Sequence, residues 1–370
     1  MGFAPTPEHE ELRAVVRSFL ADKSSEAEVR RVMSTDEGYD PAVWKQMAQQ
    51  LGLQGLVLSE AHGGAGSTMQ EVGVVLQEMG RALLCAPFLS TVVLAATALA
   101  ASGDTVAQQE LLPQIAAGEL VATVAHTEQD GLWGTSPATT AREQEGLWCL
   151  TGTKSFVLDG HSADVLVVSA RDSDAVSLFL VDGDAAGVER TLLPTLDASR
   201  KQATVVLTDA RAVRLGTPHD GERVLRHVLD VAAAALAMEQ VGVAERSLEL
   251  AVDHAKQRVQ FGRPIGSFQA VKHTCADMLV KVQAATSAAA FACWAVDHEP
   301  EELAVAASLA QAYCSAAAFE VAEAAVHLHG GIGFTWEHPA HLYFKRAKSQ
   351  QVLFGTASSH RARIAAHLGV

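Results

Sequence analysis

Arg258-Val259-Gln260-Phe261-Gly262-Arg263-Pro264-Ile265-Gly266-Ser267-Phe268-Gln269 separates two long helical patterns. Upstream, Val241, Ala244, Leu248, Val252 and Ala255 recur every three or four residues and make one apolar face. A second pattern runs from Gln269 to about Val296. The stretch between cannot continue either helix: Gly262 and Gly266 loosen the backbone, and Pro264 removes a donor and turns Arg263 away from helical geometry. It reads as a tight connector between antiparallel helices, presenting Arg258, Phe261 and Gln269 at one corner. In the plain reading Arg258 completes the negative end of a helix and Phe261 plugs a helical hairpin.

The chain has 370 residues, room for two or three domains with substantial cores. Hydrophobic residues are 49% and aromatics only 5%, so the interior must be built largely of Ala, Val and Leu, which suits closely packed helices. A net charge of −15 argues against a general nucleic-acid or anionic-membrane binder, and an anionic ligand would need a local basic patch. Cys85, Cys149, Cys275, Cys293 and Cys314 are odd in number, scattered and in apolar contexts, which suggests neither a disulfide framework nor a zinc site and fits a reducing cytoplasm. No apolar run reads convincingly as a signal peptide or a bilayer span. Met1 to Thr6 matches a loose myristoylation pattern, but Thr6 is equally a cap for a helix opened by Pro7.

From Pro7 the first helix carries Leu12, Val15, Val16, Phe19 and Leu20 on one face, with Glu8, Glu10 and Glu11 in its first turn. Further helices read at Pro41 to Gly52, Met69 to Leu84 and Thr91 to Ser102, the last apolar nearly all round. The Gly63-Gly64 loop follows no strand and is not read as a phosphate cradle. After Gly118 come short β-rich runs at 120–125, 148–150, 154–158, 165–168, 176–181 and 204–207. Near Asp220 the pattern turns helical again, with Ala-rich stretches that let helices approach closely. The expected architecture is α+β and mostly α: a helical domain over 1–117, an antiparallel β-domain over 118–217, and a C-terminal four-helix bundle over 218–370.

A second block, Gly330-Gly331-Ile332-Gly333-Phe334 followed by Ala347-Lys348 and Gly355-Thr356, lies downstream of the connector. Arg258-x-x-Phe261-Gly262-x-x-Ile265-x-x-x-Gln269 resembles the hallmark of the acyl-CoA dehydrogenase family, and the second block resembles that family's C-terminal signature. The domain order matches the family over essentially the whole chain. The resemblance implies FAD as cofactor, dimers or dimers of dimers, and oxidation of an acyl-CoA to its trans-2-enoyl form. It also implies that Arg258, Phe261, Gln269, His329, Gly330, Gly331 and Thr356 face flavin nucleotide, most of them across an interface to the adjacent subunit's FAD. An electron-transferring flavoprotein is the implied acceptor.

The chain departs from the family where the chemistry is done. The base, a Glu six residues after the lysine matching Lys348, is replaced by Phe354, which cannot accept a proton. The family's other base position falls on Ala232. Asp230 lies about 200° round the helix from it, and Glu239 is on its face but roughly 10 Å along the axis. In the β-domain the family's Thr-Glu-Pro to Gly-Ser-Asp segment is reduced to Thr127-Glu128-Gln129-Asp130-Gly131, and Leu158 stands where a hydroxyl residue is expected. Phe156 is expected to stack on a ligand or, preferably, to fill the domain core. His327 and His329 with Glu323, or with His338 and His341, are weighed as metal ligands and set aside, because the first two bracket a Leu and point apart. Lys345, Arg346 and Lys348 read as a solvated basic face or a phosphate contact.

The resemblance is to the base-lacking subunit of actinobacterial heterotetrameric enzymes for steroid-derived acyl-CoA thioesters, which would need a homologous partner carrying the Glu. The rivals are a self-sufficient homotetramer with a displaced acid and a flavin-free scaffold of the same fold.

Overall fold

The computed structural model describes residues 2, 4–134 and 136–370; the Met1 and Phe3 positions of the amino-terminal pattern lie outside them. Helix α1 (Pro7–Lys23) opens as expected: the Thr6 hydroxyl accepts from the His9 backbone N–H while the His9 ring accepts from that of Thr6. Val15 is exposed, however, and the buried side chains of this helix are His9, Val16 and Leu20. Then follow α2 (Glu26–Met33), α3 (Pro41–Leu51), α4 (Met69–Ala82), a π-helical turn at Leu89–Ala95 that runs into α5 (Ala96–Ser102), and α6 (Thr105–Ala116). The sequence reading misses α2, whose apolar stripe of Val29, Val32 and Met33 is confined to two turns, and α6, a Gln-rich stretch that Asp104 caps through the N–H groups of Val106 and Ala107.

The strands are β1 (Ala122–Ala125), β2 (Thr140–Gln144), β3 (Leu147–Leu158), β4 (Val165–Asp172), β5 (Ala175–Asp182), β6 (Val188–Leu192) and β7 (Gln202–Leu215). They form one sheet in the order β1-β4-β2-β3-β7-β5, closed by pairing of β4 with β5, with β6 on β7. The pairing is antiparallel except that β1 runs parallel to β4, as does a single bridge from β2. Two short runs read separately, at 148–150 and 154–158, are one strand, broken in register against β7 at Leu150/Gly152 and Lys154/Val157. β1 has no strand on its other side in the sheet order; there Thr91 of the π-helical turn donates to the Ala122 carbonyl and accepts its N–H, which protects the edge.

The carboxy-terminal part comprises α7 (Gly221–Gln257), the hairpin strands β8 (Val259–Gln260) and β9 (Arg263–Pro264), α8 (Gln269–His298), α9 (Leu303–His329), α10 (Ala340–Gln350) and α11 (Ala357–Leu368). By compactness the chain divides into two units, Met1–Val29 with Met69–Leu84 and Ala233–Val370, and Arg30–Thr68 with Cys85–Ala232. Thus α1 and α4 group with the carboxy-terminal helices, and the other amino-terminal helices with the sheet. In the first unit α4 and α7 meet backbone to backbone: a Cβ on Gly80 would come within 2.2 Å of the Glu239 carbonyl, and one on Gly242 within 1.9 Å of that of Gln77. Asp297, near the end of α8, accepts from the Met69 N–H and so caps α4.

Three helical stretches, Gly221–Gln257, Gln269–His298 and Leu303–Phe334, are by length and composition apolar enough to cross a membrane, which corrects the reading that none is. Their most apolar windows are 89%, 33% and 61% buried within the protein, so the first already uses its apolar surface in packing.

Candidate functional site

The connector is a two-residue hairpin. Phe261 and Gly262 form its tip at φ +53° and +74°, a turn that glycine adopts freely and phenylalanine only under strain. The Phe261 ring is 90% exposed and stands edge-on to Phe268, whose face carries the Arg263 guanidinium 4.1 Å from its centre. Arg258 follows α7 directly: its N–H donates to the His254 carbonyl, its own carbonyl accepts from Ile265, and its exposed side chain makes no ion pair among the described residues. Gln269 is the first residue of α8 and is exposed.

A stack of imidazoles joins this corner to the glycine block. His329, the last residue of α9, lies 4.5 Å from His254 and 4.1 Å from His338 between ring centres. Its Nδ1 donates to the Ala325 carbonyl at 2.6 Å, which leaves Nε2 as the acceptor, and that atom is buried without a partner among the described residues. Burial, then His329 and Arg258, hold the His254 pKa below its ordinary value. Gly330 follows at φ +62°, and a Cβ on it or on Gly331 would meet nothing within 4 Å. Their backbone is therefore open to close approach. An exposed guanidinium, an orphaned buried acceptor and two bare amides suit a dinucleotide. His254 went unnoticed in the sequence, and His338 was weighed there only as a metal ligand, because residues far apart in the chain show no pattern when their rings meet.

The carboxy-terminal turn has a different character. Phe354 is 3% exposed, at φ +59°, and its carbonyl accepts from the buried His360 ring. Gln311 donates to the carbonyls of Gln350 and Leu353, and Gln240 to that of Gln350. Below them Arg346 donates to Glu239 at 2.6 Å and Gln350 to the same carboxylate oxygen at 2.9 Å, with Arg346 and Glu239 1% and 2% exposed. This corrects the basic-face reading of 345–348, since Arg346 is a core residue, Lys345 lies over Trp336, and Lys348 is exposed beside Phe319. It also commits Glu239 to a structural pair. Thr356 caps α11 by accepting from the Ser359 N–H, which is its visible role.

In the sheet unit Thr127 donates to the Ser155 carbonyl at 2.5 Å, and Leu158 is a buried core side chain. Phe156 does not fill the core as favoured above: the second irregularity of β3 puts it at φ +57° and leaves it 41% exposed. Lys154, fully buried, donates to Glu128, the His126 carbonyl and Ser169. Burial lowers the Lys154 pKa to about 8, only partly offset by Glu128. Burial pushes Glu128 upward, but the Thr139 N–H and the lysine outweigh it and hold the carboxyl at about 2. Glu128 also accepts from the Ala138 N–H. Ala232 is buried, as is Asp230 on the same helix. No group of three or more metal-ligating side chains occurs among the described residues; His327 is exposed and His329 buried.

Family models for the acyl-CoA dehydrogenase N-terminal, middle and C-terminal domains match residues 6–119, 123–210 and 219–369. Acyl-CoA dehydrogenase IpdE2 of Mycolicibacterium smegmatis is 34% identical over 98% of this chain and 99% of its own. Among solved structures, the ChsE4-ChsE5 complex from Mycobacterium tuberculosis superposes at TM-score 0.91 with 30% identity, covering 100% of this chain and 99% of the other. The Tcur3481-Tcur3483 steroid ACAD variant does so at 0.89 with 33% identity, covering 98% of both.

Proposed function

The chain belongs to the acyl-CoA dehydrogenase family, and from that premise we propose that it is the subunit of a heteromeric enzyme that lacks the catalytic base. It completes the FAD site of a homologous subunit that carries the Glu. Together they oxidise an acyl-CoA between the carbons α and β to the thioester, in the cytoplasm, with an electron-transferring flavoprotein as acceptor. A steroid-derived or fatty acyl group is the substrate class, the former supported by the steroid ACAD variant and the latter by the family as a whole.

The observation that carries this reading is Phe354, a buried phenyl ring at the residue from which a carboxylate would remove the α-proton. Ala232 supplies none either, and Glu239 is held by Arg346 and Gln350. The flavin, when bound, supplies the hydride acceptor. This chain's part would be to hold it: Arg258 would neutralise pyrophosphate charge, Gln269 would hydrogen-bond toward the adenosine end, the Gly330 and Gly331 amides would allow close approach, and His329 Nε2 would accept a hydroxyl proton. The sheet unit offers less, because Leu158 has no hydroxyl and Thr127 spends its proton on Ser155.

Co-purification with homologous subunits, followed by the flavin-to-chain ratio, tests the reading. An assembly with two copies of each chain is expected to carry two flavins. One FAD per chain, or a yellow, active assembly of this chain alone, would return the self-sufficient enzyme. A colourless complex with every partner would return the scaffold.

A further inference from the structure

Two of the stacked imidazoles stand at the two ends of the glycine block. His329 closes α9, His338 comes just before α10, and the segment 330–337 between them carries Gly330 and Gly331. Within that segment only Gly333 is buried, so it has almost no core of its own. It is held at its neck, where the His329 and His338 rings lie 4.1 Å apart between centres. It is held also by Trp336, whose ring meets His341 edge-on at 4.6 Å and carries Lys345 Nζ 4.4 Å from its centre.

Both neck rings are placed for their neutral form. His338 Nδ1 accepts from the N–H of Ala340, the first residue of α10, and a proton on that nitrogen would set donor against donor. His329 donates from Nδ1 to the Ala325 carbonyl, so a second proton would arrive on Nε2, which is buried and meets no acceptor among the described residues. Around the pair stand His254 of α7, 4.5 Å from His329, with Arg258 beyond it, and His341 and Lys345 of α10 against Trp336; Glu337, beside His338 in the chain, is exposed. Two charged rings at this distance would repel each other and the cations near them.

We propose that the His329–His338 pair is an acid-opened clasp: neutral rings hold the segment 330–337 closed, and acidification releases it and withdraws the Gly330 and Gly331 amides from a bound dinucleotide. The open segment takes up protons for which the closed one has no place, so the closed form prevails above about pH 6.5 and is lost as pH falls below it. His254 acts in the same sense, its pKa lowered by burial, then by His329 and Arg258. The clasp stands on the geometry of this chain; only its effect on the dinucleotide rests on the flavin reading.

Hydrogen exchange of the full chain across that range, expressed as protection relative to the unfolded-chain rate at each pH, tests the clasp. One proton taken up on opening raises the opening constant about tenfold per pH unit. Peptides covering 330–337 should therefore lose protection by about tenfold or more between about pH 7 and about pH 5, while those covering the middle of α9 keep theirs. His338→Gln, which can still accept from the Ala340 N–H but cannot become charged, should flatten that loss. If it melts below the wild type, His329→Gln takes its place. Protection of 330–337 that is independent of pH, that falls equally in the glutamine variant, or that falls only together with α9 would overturn the clasp. In the flavin-loaded complex the FAD content should fall over the same range. Flavin retained while 330–337 opens would overturn the withdrawal of the amides, leave the clasp standing and place the fault in the flavin reading.

Discussion

Replacing Glu239 with Ala strands a guanidinium in the core. Arg346 is 1% exposed, donates to Glu239 at 2.6 Å and also reaches the Leu84 carbonyl at 3.4 Å. At an effective dielectric of about 20, two charges ~4 Å apart attract by about 4 kcal/mol. Removing one partner of such a buried pair costs roughly 3–5 kcal/mol, because the other charge stays desolvated. For a chain of this size that lowers the melting temperature by roughly 5 °C. Replacing both together, Glu239→Met with Arg346→Leu, should recover most of the loss, since an apolar pair of similar volume needs no compensation. The assay is a melt by circular dichroism with urea denaturation of the four proteins. Gln350 shares the Glu239 oxygen, and Gln311 and Gln240 hold the Gln350 carbonyl, so amide exchange in the turn around Phe354 should quicken in the single variant. A single variant that melts within about 2 °C of wild type, or a double variant less stable than the single, would refute the reasoning.

Phe354→Glu is expected to leave the isolated chain without dehydrogenase turnover, because a restored base still lacks a flavin in this chain's own half-site; steady-state assays with acyl-CoA and a dye acceptor check this, and turnover would mean that only one residue was missing. Arg258→Ala should lower the FAD content of the complex, reflecting a loss of about 1.5–3 kcal/mol for a charged hydrogen bond, without changing this chain's melt; unchanged absorbance per protein would leave Arg258 as a helix-end cation. Burial, then Lys154, hold His126 neutral down to about 4, against about 6.5 when unfolded. The unfolded chain therefore takes up the proton first, and stability is lost as pH falls from about 6.5 through about 4, by about 3 kcal/mol at most. Denaturant titrations across that range should show the slope in wild type and a shallower one in His126→Gln; equal slopes would remove His126 as the cause.

Where an element was legible in the sequence, its signal was local. Thr6-Pro7 announces a helix start through one side chain and the adjacent backbone, and the cap forms. The hairpin between α7 and α8 was legible because Gly262 and Pro264 act on their own dihedrals. What failed was equally physical. α6 has Asp104 as a cap but too weak an apolar stripe to be read, and Phe156 sits in a strand whose register slip, invisible in composition, turns its ring outward.

The site divides along the same line. The sequence by itself determined that positions 354 and 232 carry no carboxylate, since Phe354 and Ala232 have no ionisable group in any fold. It also fixed the identity and order of Arg258, Gln269 and Gly330-Gly331, the residues that carry the resemblance. Only the tertiary structure decided that Arg346 is a buried partner of Glu239 and that His329 stacks between His254 and His338 with one nitrogen unsatisfied. Only the tertiary structure, too, sets Lys345 and Lys348 over rings. A charge or an imidazole takes its role from its neighbours and its distance from water, and neither is fixed until helices far apart in the chain have packed.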